Sequence, residues 1–350
     1  TRLAPLLHDR DRRLAVAATV GIAVALAATL LAPAVLFALS PIVLGVPHIA
    51  ADVRYLVLRR GLPRWWTWSI AGACLALVAL RGVQELAARS APGSFGMVEG
   101  GALLRAEVTV GTGWLVVAAL AGAWASGAWR RALLVLPVAG AVAWVAQLDP
   151  WGWVLVLTHL HNVAAVVLWL LLFRRAPRAV LWPLLLLAVL TAVLASGLVN
   201  GAVLGVGGHR ALGVDMRWVA GWLAPGLPAS LALGLTLTYV FLQAIHYSVW
   251  LGWVPQEDVR GEGTLTFGMS LRSLRADFGV AGVLLVAAGA LAVAVCASMA
   301  LVRTRDLYLS VTGFHAYLEL AMLAYLFTAR GVPARARRAA RVPAAAATAA

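Results

Sequence analysis

The sequence predicts an all-α protein, a polytopic membrane bundle of about ten transmembrane helices. Of its 350 residues, 63% are hydrophobic and 12% are charged, whereas a soluble domain is about half apolar and about a quarter charged. The apolar residues occur in consecutive runs of about twenty, the length that a helix needs to cross a hydrocarbon layer of about 30 Å. These two observations exclude soluble folds and membrane β-barrels.

Ten runs are long and apolar enough to be predicted as spans. They cover residues 14–32, 34–58, 65–83, 107–128, 132–147, 151–173, 179–199, 228–253, 279–302 and 306–328. Ten crossings put both termini on one side of the membrane, and that side carries 21 of the 28 basic residues. The positive-inside rule therefore makes the N and C termini cytoplasmic. We expect one transmembrane domain over residues 1–330, in a cytoplasmic membrane of bacterial type, and a basic, alanine-rich, disordered tail over 331–350.

Several function classes are excluded by the residues that carry charge or sulfur. All 28 basic residues are arginine, so rhodopsins and pyridoxal enzymes, which need a Schiff-base lysine, do not fit. Cys74 and Cys296 lie inside apolar runs and form no close-spaced pair, which excludes disulfide frameworks and zinc ribbons. The basic excess follows membrane topology, so we expect a lipid bilayer and no nucleic acid as partner.

Two segments that connect predicted spans contain sequence patterns that indicate local structure. Residues 197–227 contain glycines that break a helix and two tryptophans, Trp218 and Trp222, that are typical of a membrane interface. We interpret this segment as an external connector, with a lid as the alternative. Residues 261–278 are predicted to form a short helix on the cytoplasmic surface, with Leu271, Leu274 and Phe278 on its apolar face.

Five of the seven histidines lie inside predicted spans, at similar depth in the membrane. They are His48, His159, His161, His246 and His315, and they occupy four different spans. Each alone could be a hydrogen-bonded residue in helix packing. Ionisable residues are costly in a bilayer and tend to face an interior site, and a layer of imidazoles is typical of a metal-ligand set. We therefore predict that these histidines are metal ligands.

Two carboxylates follow two of the histidines by four residues. His48 precedes Asp52, and His315 precedes Glu319, so each pair lies on one face of its helix. Such a carboxylate could orient a ligating imidazole or bind a metal directly. A plain hydrogen bond within the helix is the third interpretation.

His159 and His161 are two residues apart, which places them about 200° apart around a regular helix. They cannot both point to one centre unless the helix is locally unwound, and we favour His161 as the ligand. Asn162, Gln243 and Tyr247 could supply hydrogen bonds to the ligands or a path for protons. Tyr247 thus joins Asp52 and Glu319 as a candidate catalytic residue.

The segment GVPHIAAD, residues 45–52, resembles the G-x-P-H-x-x-x-D element of the bacterial Brp/Blh family. The members of that family are membrane β-carotene 15,15′-dioxygenases that make retinal with a histidine-bound non-haem iron. The resemblance covers eight residues and implies that His48 is an iron ligand, whereas depth alone places His161, His246 and His315.

The leading hypothesis is a dioxygenase-like oxidoreductase in which Fe²⁺, held by these imidazoles, oxidises an apolar polyene or lipid-type substrate from the bilayer. An electron donor would be a further partner if the chemistry needs one. A variant makes the site dinuclear, with Asp52 and Glu319 as ligands beside His48 and His315. The alternatives from other classes are a haem b-binding electron-transfer protein and a transporter with a His/carboxylate relay.

Overall fold

Helices form nearly all of this chain. The computed structural model describes residues 9–90, 97–173, 180–258 and 266–329, and about 89% of the structure is helical. Within the described ranges, the sheet is one antiparallel pair of two-residue strands, β1 (Arg210–Ala211) and β2 (Val214–Asp215). The prediction of an all-α fold is confirmed.

Fourteen α-helices follow one another along the described residues. They are α1 (Arg10–Leu31), α2 (Pro33–Asp52), α3 (Arg64–Ser90), α4 (Met97–Ser126), α5 (Trp129–Leu148), α6 (Pro150–Leu168), α7 (Leu181–Ala195), α8 (Asn200–Val206), α9 (Met216–Leu223), α10 (Ala229–Ser248), α11 (Val254–Asp258), α12 (Phe267–Met299), α13 (Leu301–Thr312) and α14 (Phe314–Thr328). Three of them continue into a π-helical turn. These turns are Val53–Val57 after α2, Trp169–Phe173 after α6 and Val249–Trp253 after α10.

Nine helical segments in the described ranges are long and apolar enough to cross a membrane. They are Arg10–Leu31, Pro33–Arg60, Arg64–Ala87, Gly101–Ser126, Trp129–Leu148, Pro150–Leu171, Ala229–Gln256, Phe267–Met299 and Leu301–Thr328. Taken together, α7 and α8 would make a tenth, but they are bent by 79°. The bend follows Gly197, whose φ of +77° suits glycine and ends the helical path.

The boundaries differ most from the sequence expectation near the C-terminal end. The predicted span 279–302 is part of a longer helix, α12, and Gly279 interrupts that helix with φ 70° and ψ 173°. The helix predicted within 261–278 is thus present over 267–278, capped at its start by Thr266 Oγ1, which accepts from Met269 N–H at 3.3 Å. The predicted span 306–328 begins earlier, at Leu301, and is divided at Gly313. The predicted tail, 331–350, lies outside the described residues.

The chain divides into two compact units, Thr1–Ala51 with Trp151–Ala316, and Asp52–Pro150 with Tyr317–Ala350. At the centre of the first unit lies α10, which packs against α1, α7 and α9. Of the apolar window in its span, 72% is buried. Because lipid tails are as apolar as these side chains, close packing and hydrogen bonds between helices hold such a bundle together.

In the second unit α4 packs against α3 and α5. Buried Glu107 pairs with Arg81 across the α3–α4 contact, with Oε2 2.7 Å from Nε. The Trp66 ring stacks on Tyr325, with ring centroids 5.1 Å apart. Gly122 allows α4 to approach α14 closely, because a Cβ there would overlap Thr328 Oγ1 and the Tyr325 carbonyl.

Candidate metal centre

Four histidine rings from four helices come together in the first unit. His48 lies on α2, His161 on α6, His246 on α10 and His315 on α14. The side chains of His48 and His246 are each only 1% exposed. The helices fix these positions because each histidine lies within regular or π-continued helix rather than in a connecting loop.

Ring-to-ring distances define a compact cluster. The centroid of the His48 ring lies 4.5 Å from that of His246 and 5.1 Å from that of His315. The His161 centroid lies 5.1 Å from His246 and 5.3 Å from His315. The His246 and His315 centroids are 6.3 Å apart. Each ring therefore neighbours at least two others, and we call these four residues the histidine cluster.

The nitrogen positions fit metal ligation. His48, His246 and His315 each offer one ring nitrogen within 4.8 Å of the others, and Nε2 of His48 lies 3.0 Å from Nε2 of His246. Two nitrogens each about 2.1 Å from one ion would be about 3.0 Å apart at right angles and about 4 Å apart on opposite sides. The observed separation fits adjacent ligands of one ion better than the opposed axial ligands of a haem.

Backbone carbonyls determine which nitrogen two of these rings present. Nδ1 of His161 donates to the Leu157 carbonyl at 3.2 Å, and Nδ1 of His315 donates to the Thr312 carbonyl at 2.5 Å. A carbonyl can only accept, so in a neutral ring Nδ1 carries the proton and Nε2 presents a lone pair. Thr312 ends α13 before the break at Gly313, where carbonyls lack partners within the helix. This hydrogen-bond pattern is typical of metal-ligating histidines.

His159 does not join the other four. Its Nε2 donates to the Leu223 carbonyl on α9 at 3.0 Å, and its ring centroid lies 5.6 Å from that of Tyr239. The two-residue spacing from His161 on regular α6 explains the divergence. The structure therefore assigns His159 a bond between helices and places His161 in the cluster.

Three buried polar side chains on α10 lie four residues apart and end beside the histidine cluster. They are Tyr239, Gln243 and Tyr247, and we call them the polar ladder. Gln243 Nε2 donates to the Tyr239 hydroxyl at 3.2 Å and approaches the Tyr247 hydroxyl at 3.5 Å. The Tyr247 ring centroid lies 5.3 Å from that of His48. Gln243 and Tyr247 were predicted from the sequence as supporting residues, whereas Tyr239 was not, although the spacing of four residues between all three is visible in the sequence.

Asn162, the other predicted supporting residue, donates to the Thr158 carbonyl of its own helix.

Two further residues near the cluster were not predicted from the sequence. Trp250 lies in the π turn after α10, with its ring centroid 6.5 Å from that of His48, and π turns are frequent at functional sites. Tyr308 packs against Gly45, one turn before His48, so closely that a Cβ at Gly45 would overlap its ring. The glycine of the GVPHIAAD segment could have signalled such a contact, although not its partner.

Asp52 and Glu319 belong to the second unit, where both side chains are fully buried. One carboxylate oxygen of each lies within 4.8 Å of the other. Their assignment as catalytic or metal-binding groups stays a prediction.

Comparison with protein-family models, with curated proteins and with solved structures found no match.

Proposed function

We propose that this protein is a membrane-embedded oxidoreductase that holds one non-haem iron on His48, His161, His246 and His315. Its substrate would be an apolar polyene or lipid-type chain, oxidised with dioxygen. The observation that carries the proposal is the convergence of four imidazoles from four helices in one unit. The eight-residue resemblance at GVPHIAAD supports the same chemistry.

The donor set favours a transition metal over magnesium or calcium. Imidazole suits iron, copper, zinc and nickel, whereas magnesium and calcium prefer oxygen ligands. The four imidazoles would hold the iron through their ring nitrogens. Bound iron would supply redox chemistry that no side chain provides. The task of the protein is then to orient the substrate and to exclude water.

Aromatic side chains beside His48 are suited to orienting the substrate and to excluding water. Tyr247 and Trp250 place aromatic rings beside His48, and both side chains are at least 95% buried. Such rings offer a flat apolar surface to a polyene. The hydrogen bond from Gln243 to the Tyr247 hydroxyl restrains that hydroxyl, so that it can hold a proton at a fixed place near the cluster.

The expected setting is a cytoplasmic membrane of bacterial type with both termini on the cytoplasmic side. It rests on the arginine distribution and on the nine long apolar helices of the described ranges. An apolar substrate would reach the histidine cluster from the hydrocarbon layer, because the four histidines lie within spans.

Elemental analysis and absorption spectroscopy of the detergent-purified full chain test the proposal. We expect about one iron per chain, no Soret band, and oxygen-dependent bleaching of an added polyene such as β-carotene. His246→Ala should lose both the iron and the bleaching. Wild-type protein without iron after growth in iron-replete medium, or His246→Ala with full iron content, would contradict the proposal.

A further inference from the structure

A cavity lies in the first unit between α8, α9 and the start of α10. Its volume is about 440 Å³, within the range of about 300–1,000 Å³ that is common for small-molecule sites. Most of its lining is apolar or small, including Leu204, Ala220, Leu227 and Leu233. The cavity therefore has the size and the wall of a site for an apolar chain.

Hydrogen bonds between helices hold the walls of this cavity. Asn200 Nδ2 at the start of α8 donates to the Ser230 carbonyl of α10 at 2.6 Å. The bond from His159 to the Leu223 carbonyl joins α9 to α6 at 3.0 Å. These bonds connect the elements that border the cavity to two long helices, α10 and α6.

One edge of the cavity carries positive charge. Among the described residues that line it, Arg217 alone is charged. Arg217 shares the Asp215 carboxylate with Arg210: Nη2 of Arg217 lies 3.4 Å from Oδ2, and Nε of Arg210 lies 2.6 Å from the same oxygen. Two guanidinium groups with one carboxylate have a net charge of +1. This edge therefore attracts an anionic group.

The neighbouring tryptophans indicate the depth of the cavity. Trp218 and Trp222 project from α9, each 66% exposed, with ring centroids 5.6 Å apart. Tryptophan concentrates at the level of the lipid headgroups. An anionic group at Arg217 would thus lie at headgroup depth, beside an apolar wall.

We propose that this cavity binds one anionic membrane lipid, with an acyl chain against the apolar wall and its phosphate at Arg217. The site is distinct from the histidine cluster and needs no metal. The proposal therefore goes beyond the proposed function and does not depend on it. Arginine is well suited to phosphate because its planar guanidinium can donate two parallel hydrogen bonds.

Native mass spectrometry of the detergent-purified full chain tests the proposal by counting bound lipids. Phosphatidylglycerol and phosphatidylcholine with the same acyl chains are titrated separately. We expect phosphatidylglycerol to bind about five-fold more tightly, as one basic residue near an anionic headgroup allows. Arg217→Gln should remove this preference, while the matched control Arg272→Gln, on the first part of α12, should keep it.

A plug variant tests the acyl-chain wall. Gly221 lines the cavity, and a Cβ there meets nothing within 4 Å, so Gly221→Leu is chosen to occupy cavity volume. It should lose most of the bound phosphatidylglycerol. Gly201→Leu is the matched control, because Gly201 also faces open space but is not among the lining residues.

Four results would overturn the lipid assignment. They are equal binding of the two lipids by the wild type, an unchanged preference in Arg217→Gln, full lipid retention in Gly221→Leu, and displacement of the lipid by an equal concentration of inorganic phosphate. The last result would assign the Arg217 edge to a free anion. Iron content is measured on the same samples, so a failure of the lipid site is distinguished from a failure of the metal site. If Gly221→Leu does not fold, the Arg217→Gln comparison still decides.

Discussion

His161 and His159 differ by two positions on α6 yet have different surroundings. The His161 ring neighbours two histidine rings, while His159 bonds to the Leu223 carbonyl. The same substitution, histidine to alanine, is therefore expected to have different effects on iron binding at the two positions. This pair offers the sharpest test of the histidine cluster at the scale of single residues.

We predict that His161→Ala lowers iron affinity by more than about 100-fold, because loss of a ligand should exceed the 10–100-fold cost of losing a residue that supports one. Iron per chain, measured by elemental analysis after dialysis, checks this prediction. His159→Ala is the control and should keep the wild-type iron content. Equal iron loss in the two variants would show that α6 contributes to stability rather than a ligand.

Tyr247 supports a second prediction at this scale. Tyr247→Phe keeps the aromatic ring beside His48 and removes the hydroxyl that Gln243 contacts. We expect unchanged iron content and a rate of polyene oxidation lower by about 10²-fold, the lower end of the range for proton transfer. Tyr239→Phe, at the far end of the ladder, should affect the rate less. A Tyr247→Phe variant that oxidises the polyene at the full rate would remove Tyr247 from the proposed reaction.

At the scale of helices, glycines determine how closely neighbouring elements approach. Gly45 on α2 accepts the ring of Tyr308 on α13, one turn before His48. The contact lies within the first unit and connects the helix that carries His48 to a second element. The same principle operates in the second unit, where Gly122 accepts Thr328 and the Tyr325 carbonyl.

We predict that Gly45→Ala destabilises the protein by about 1–3 kcal/mol, the usual cost of overpacking. Thermal unfolding in detergent checks this as a lower Tm. The matched control is Gly72→Ala on α3, where a Cβ meets nothing within 4 Å and alanine should be neutral or stabilising. Combining Gly45→Ala with Tyr308→Ala should recover part of the loss, because the smaller side chain makes room for the added methyl group. No recovery would show that the Tyr308 contact is not the cause.

At the scale of the whole molecule, metal binding and folding should be linked. A ligand that binds only the folded state stabilises it, by about 2.7 kcal/mol when its concentration is 100 times its Kd. The four proposed ligands come from segments distant in sequence, so an unfolded chain cannot present them together.

We therefore predict that removal of iron by a chelator lowers the Tm of the wild type and that added Fe²⁺ restores it. His161→Ala should show little response to either treatment, because it already lacks the ion. A chelator effect of equal size in His161→Ala would mean that the chelator destabilises the protein by another route.

Topology is a second prediction at this scale. The 21 arginines assigned to the cytoplasmic side predict that both termini lie there. A fluorescent reporter that folds only in the cytoplasm should be active when fused to either terminus. A reporter fused within the β1–β2 hairpin, in the segment predicted to be external, should be inactive. Opposite results for the two termini would require an odd number of crossings.

The sequence by itself determined the all-α class, most of the long apolar segments and the shared depth of the histidines. Each of these depends on composition, run length or position within one helix. It also showed that His159 and His161 diverge, because helical periodicity fixes their angular separation. The predicted boundary between the surface helix and the span beginning at 279 coincides with the break at Gly279. The sequence did not show the break at Gly313, because that glycine lies within an apolar run whose hydropathy is continuous.

Only the tertiary structure decided which face of each helix turns toward its neighbours. It brought His161 rather than His159 to the cluster, placed Tyr308 on Gly45, bent α7 against α8 and formed the cavity beside Arg217. These arrangements depend on side-chain packing between residues distant in sequence. In an apolar environment almost every helix face is hydrophobic, so the hydrophobic pattern does not distinguish a face that meets protein from one that meets lipid.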